Sequence, residues 1–137
     1  MVLDGAGWEI LDREECLRLL ARANKGRVAI SVQALPIILP VRFVVYDDRI
    51  VIRTSLGTTL DGATRGTVVA FQADGTESSS GRDWSVQVTG LATDSDAISV
   101  RYDLLPRWST TRPDRLVSIT TDHVSGRREP AWRPGPV

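Results

Sequence analysis

The feature that most constrains this chain is a period-two alternation of apolar and polar residues that recurs from residue 26 almost to the C-terminus, in short runs. In the first run, opening as GRVAIS at 26–31, Val28, Ile30 and Val32 fall on one face, and Arg27, Ala29 and Ser31 on the other. A turn over 33–36 leads to IILPVRFVVY at 37–46, which reads as a long strand, and Asp47 and Asp48 then turn the chain into a β-branched run at 49–54. VVAFQAD at 68–74, the alternating run at 84–93 and the run at 116–121 supply three more strands. The gaps are too short for the crossover helices of parallel pairing. Six short strands therefore predict a closed or nearly closed antiparallel barrel, which also disposes of free edges.

Pro40 interrupts the long run and cannot donate a ladder hydrogen bond, so it must sit at an edge, at a bulge or where the sheet parts. Ahead of the strands, Leu11 followed by DREE marks a helix start. Asp12 can cap, Glu15 stands three residues on, and Leu11 can pack on Cys16. Cys16, Leu19, Leu20 and Ala23 recur at helical spacing, Gly26 supplies a stop, and the apolar face is expected to plug one barrel mouth. SLGTTLDGATRG at 55–66 reads as part loop, part short helix. GTESSSG at 75–81 is the most flexible-looking internal segment, and residues 94–105 carry a weak helical signal. Residues 1–128 read as one domain and 129–137 as an exposed tail.

Seventeen basic residues balance seventeen acidic ones, so no global field draws the chain to nucleic acid or an anionic membrane. Lys25 is the only lysine, and an anion grip must therefore lean on arginine, backbone N–H groups or hydroxyls. One cysteine and one histidine leave no disulfide, no cysteine-based metal site and no histidine-rich one. With no basic start and no long apolar stretch at the N-terminus, a cytoplasmic location is expected. Cys16 reads as core and His123 as surface.

Four segments in order resemble the pyridoxamine 5′-phosphate oxidase-like, FMN-binding split β-barrel superfamily, closest to its short actinobacterial-type members. They are GRVAIS at 26–31, PVRF at 40–43, IRTSLGTTL at 52–60 followed by VAFQAD at 69–74, and WSVQVTG at 84–90. A weaker echo closes the chain in SITTDHVSGRR at 118–128. The resemblance implies a mainly β, six-stranded antiparallel split β-barrel of Greek-key type with an N-terminal helix and one inserted helix. It also implies a homodimer with two flavin sites in clefts between subunits. On that model Pro40, Val41, Arg42 and Phe43 run along the isoalloxazine ring, and Arg53, Thr54, Thr58 and Thr59 lie where the family grips phosphate. Trp84 and Ser85 match positions that reach the cofactor from the neighbouring strand.

Read from the residues alone, the 53–59 segment suits a phosphate, because an arginine, hydroxyls and free backbone N–H groups fall within a few positions. An ordinary polar hairpin exit fits the same residues. Relatives commonly carry a lysine where this chain has Thr59, so the charge must come from elsewhere, with Arg42 and Arg82 as candidates, or the cofactor differs. The resemblance implies an FMN-dependent oxidoreductase acting on a small molecule, with an F420-dependent reductase or a non-catalytic flavin or haem binder as alternatives. The flavin does the redox chemistry, so no side-chain nucleophile or base is singled out. The 75–81 loop, Trp84 and the tail are expected to shape substrate choice.

Overall fold

In a computed structural model, the structure describes residues 1–95, 105–106 and 111–130. The chain runs β1 (Val2–Leu3), β2 (Glu9–Leu11), α1 (Arg13–Arg22), β3 (Lys25–Val32), β4 (Leu35–Tyr46) and β5 (Arg49–Ser55). It continues through α2 (Thr59–Gly62), β6 (Thr67–Thr76), β7 (Asp83–Asp94), β8 (Asp114–Ile119) and β9 (His123–Arg128). Six strands close a barrel in the order β7, β6, β3, β4, β5, β8, and β8 returns to β7. Every pair is antiparallel. The mainly β, six-stranded split barrel with its helices is the architecture expected. Most of the helical signal over 94–105, and tail residues 131–137, lie outside the described residues. Among the described residues no helix is long and apolar enough to cross a membrane.

The alternation in β3 turns Val28 and Ile30 inward, where they join Phe43, Ile50, Ile52, Phe71, Val86, Val88 and Ile119 in one core. Phe43 and Phe71 meet edge to face, ring centroids 4.8 Å apart, at its centre. Helix α1 starts as expected, with Asp12 accepting from the Glu15 N–H at 2.8 Å. It buries Cys16, Leu19 and Leu20, and burial pushes the Cys16 thiol up to about 11, as befits a packing residue.

Gly26 does not stop the helix. The helix ends at Arg22 with Ala23 as cap, and Gly26 is already inside β3. Its missing side chain makes room for Phe71, since a Cβ there would stand 2.5 Å from the ring. The 75–81 segment is also more tied down than its composition suggests. Glu77 and Arg82 bond across it, and the Glu77 carboxylate takes Arg128 at 2.6 Å. Arg128 also holds Glu15 at 3.0 Å and Glu9 at 2.9 Å, lashing α1 and β2 to the barrel. Hydrogen bonds from Arg18 and Arg128 outweigh burial and hold the Glu15 carboxyl down near 2.

The barrel closes along β7. One edge of that strand serves β9 over 84–89 and β8 over 92–94. Between the two, the crossing chain passes so close that a Cβ on Gly90 would lie 1.7 Å from the Thr120 carbonyl oxygen. Backbone cannot yield as a flexible side chain does. Gly90→Ala should cost about 3 kcal/mol of stability, read by chemical denaturation; an unchanged midpoint would show that the crossing is not fixed there.

Candidate functional site

Strand β4 changes partner half-way. Residues 35–42 pair with β3 and residues 43–46 with β5, so beyond Phe43 and Ile52 the strands β4 and β5 part. The Phe43 N–H donates to the Asn24 carbonyl at 3.1 Å, which fixes the alternation: residues 36, 38, 40 and 42 aim their backbone groups away from β3, into the gap. Pro36 and Pro40 occupy two of those positions and have no N–H to offer. Pro40 thus sits where the sheet parts, as one of its predicted placements required. The N–H groups of Ile38 and Arg42 are the donors directed at the gap.

Facing this edge across the gap is the exit of β5. Leu39, Pro40, Thr54, Ser55, Thr58 and Leu60 line a pocket of about 250 Å3. The turn beneath it is held internally. Thr58 caps α2, its hydroxyl donating to the Ser55 carbonyl at 2.8 Å and accepting from the Asp61 N–H at 3.2 Å. Thr54 Oγ1 lies 3.2 Å from Thr58 Oγ1; with the Thr58 proton committed, Thr54 is the donor of that pair. At that length the contact is more easily exchanged than the bond from Thr58 to Ser55. The Asp61 carboxylate reaches back to the Gly57 N–H at 2.9 Å and is held by Arg115 at 2.9 Å and Arg65 at 2.8 Å. Burial raises the Asp61 carboxyl, but the Gly57 N–H and the two arginines outweigh it and leave it below its ordinary range. The Leu56 N–H donates to the Pro113 carbonyl at 2.9 Å, and Gly57 and Thr58 spend theirs inside the turn. Those of Thr59 and Leu60 meet no acceptor among the described residues and are the turn's available donors.

A family model described as pyridoxamine 5′-phosphate oxidase matches residues 12–128. The chain belongs to that family. The uncharacterized protein Rv0080 of Mycobacterium tuberculosis is 43% identical over 126 residues, spanning 86% of this chain and 83% of that one. Among solved structures, an FAD binding protein from Mycobacterium smegmatis is 28% identical with a TM-score of 0.68, covering 88% of this chain and 97% of its own. An FAD-binding protein from Mesorhizobium loti shares the fold at 21% identity and a TM-score of 0.70, covering 88% of this chain and 96% of its own.

Of the residues that the family resemblance singles out, the structure gathers Pro40, Thr54 and Thr58 around one pocket. Val41 and Phe43 point inward to the core, while Arg42 faces outward beside Pro40. Arg53 lies on the opposite face of β5 from Thr54, its Nε 2.7 Å from Asp114 and its Nη1 donating to the Leu105 carbonyl at 2.9 Å. Thr59 is exposed at the start of α2. Trp84 is buried in the core against Gly75. Ser85, on the outer face of β7, accepts from Gln72 at 3.1 Å and lines a separate concavity of about 470 Å3 with Trp8, Gln87 and Arg127. Arg82, a candidate source of compensating charge, donates to the Glu129 carbonyl at 2.8 Å and stands beside Glu9 on β2, so it does not reach the gap. The 75–81 loop lines neither pocket.

Sequence reasoning passed over Asp61 and Arg115, the pair that sets the turn. The signal was present: Thr58 followed three residues later by Asp61 is a capping pattern. Because Asp61 titrates below its ordinary value of 3.8, its contribution to stability is complete above that value and is lost as falling pH protonates it in the folded state. Asp61→Asn should therefore lower stability at neutral pH and flatten the acid limb of the unfolding curve. Wild-type and variant limbs of equal steepness would contradict the role given to Asp61.

Proposed function

We propose that this protein binds a phosphorylated flavin, FMN in its simplest form, in the gap between β4 and β5, and acts as a flavin-dependent oxidoreductase on a small molecule. The observation that carries this is the parting of the two strands. It sets a backbone edge with outward donors opposite a hydroxyl-bearing turn, across a pocket with apolar walls. A flavin ring has that character: a flat apolar body with donors and acceptors on its edge. Ile38 and Arg42 N–H groups suit the ring edge, Leu39, Pro40 and Leu60 its faces, and Thr54 with the Thr59 and Leu60 N–H groups the phosphate.

When bound, the flavin supplies hydride and electron transfer. The chain's own work is positional: Asp61 and Arg115 hold the turn in place, and the prolines keep the β4 edge from re-pairing. With Thr59 in place of a lysine, charge for the phosphate must come from a neighbouring arginine, and Arg42 is the nearest candidate beside Pro40. Names of structural relatives as FAD-binding proteins support the cofactor class.

We infer that a second copy of the chain forms the second wall of the site. Ile38, Ala29 and Ala70 stand in register on the outer face of β4, β3 and β6, and Val68 opposite Leu91 extends that apolar surface. Ile38 is 68% and Val68 70% exposed, more than a solvated sheet face needs. Sedimentation should show a homodimer.

Fluorescence titration tests the main reading. Wild-type protein should quench FMN saturably, and Thr54→Val, which keeps shape but removes the hydroxyl, should weaken binding by about 1–1.5 kcal/mol, roughly five- to tenfold. No saturable binding by the wild type would overturn the proposal. The visible spectrum of the freshly purified protein separates flavin from F420 and from haem.

A further inference from the structure

The tip of the β1–β2 hairpin, residues 4–8, folds over the outer face of β9 and β7 and with it encloses the concavity of about 470 Å3. The tip is tied internally. Asp4 Oδ1 accepts from the Ala6 and Trp8 N–H groups at 2.8 and 3.0 Å, and the Asp4 N–H donates to the Trp8 carbonyl at 2.8 Å. Asp4 Oδ2 meets Arg127 Nη1 at 3.3 Å, which fastens the tip to β9. The hairpin precedes the stretch that the family model matches, residues 12–128, so this wall is an addition to the matched barrel. The concavity is also separate from the gap, since β6 and β3 stand between β7 and β4.

Its floor is made by the cross-strand pairs Gln87–Ser125 and Ser85–Arg127, and the half-buried Trp8 is its wall. The side chains of Trp8, Gln87 and Ser125 form no hydrogen bond among the described residues, and Arg127 makes none there besides its pair with Asp4. An indole wall suits a flat ring. The Gln87 amide and Ser125 hydroxyl suit polar groups on the ring's edge, and a guanidinium anchored through one nitrogen keeps further N–H groups for an acid. The charge balance selects the acid. Arg127 is the one cation lining the concavity among the described residues, and Asp4 stands beside it. A carboxylate of single charge is matched there, whereas a phosphate dianion would meet Asp4 with half its charge unopposed. We propose that this concavity binds a planar carboxylic acid, with its ring against Trp8 and its carboxylate on Arg127. The proposal does not depend on the flavin reading.

Benzoate is the probe that tests it. In isotopically labelled wild-type protein it should shift the Trp8 indole N–H and the Gln87 side-chain amide saturably, with Trp8→Phe identifying the indole signal among those of the four tryptophans. Arg127→Gln should weaken benzoate binding at least about tenfold, the loss expected of a charge-assisted contact. Because Arg127 also fastens the hairpin, Ser125→Asp serves as a second variant: it touches no residue of the hairpin, sets a negative charge on the floor, and should weaken benzoate binding by a similar factor. Phenyl phosphate should bind wild type more weakly than benzoate does. Trp8 and Gln87 signals that benzoate leaves unmoved, a benzoate affinity unchanged in either variant, or phenyl phosphate bound as tightly as benzoate would overturn the proposal.

Discussion

The structure depends on one interruption of the hydrogen-bond ladder. Strand β4 is shared between β3 and β5, and it cannot satisfy both along its whole length once the barrel curves. Pro36 and Pro40 reinforce the division, since two of the four positions that would donate toward β5 carry no N–H. A strand edge left open in this way normally invites another chain. Here its prolines blunt it, leaving the N–H groups of Ile38 and Arg42 as the remaining donors on that edge.

The opposite side of the gap is rigid for a different reason. Residues 55–58 form a turn tied both to α2 and to the chain entering β8, with the buried Asp61 and Arg115 as its anchor. Arg115 is itself held by Thr64 Oγ1 at 2.7 Å and the Asp61 carbonyl at 3.0 Å. Such a pair contributes little net stability but punishes the loss of either member. Its effect is to present Thr54 and the first N–H groups of α2 at a fixed distance from Pro40, the preorganisation that binding sites need.

Much of this was legible in the residues. Period-two alternation placed the barrel strands, the Asp12 cap located α1, and Pro40 marked an interruption that an edge, a bulge or a parting of the sheet could explain. The same alternation carries a consequence for the site. Neighbours on a strand face opposite ways, so Arg53 and Thr54 cannot enter one pocket of one chain, nor can Trp84 and Ser85. Strands β1 and β2, of two and three residues, are too short to carry any pattern. The role of Gly26 was hidden because it depends on Phe71, distant in sequence, and the Gln87–Ser125 pair appears only once the register of β9 on β7 is known.

The central claim is that the opened edge of β4 and the turn after β5 are two sides of one flavin site. Amide chemical shifts of isotopically labelled protein, followed during titration with FMN, address it residue by residue. The account predicts saturable shifts at Ile38, Arg42, Thr59 and Leu60, the four donors directed at the gap. Flavin binding that leaves all four unmoved would contradict it.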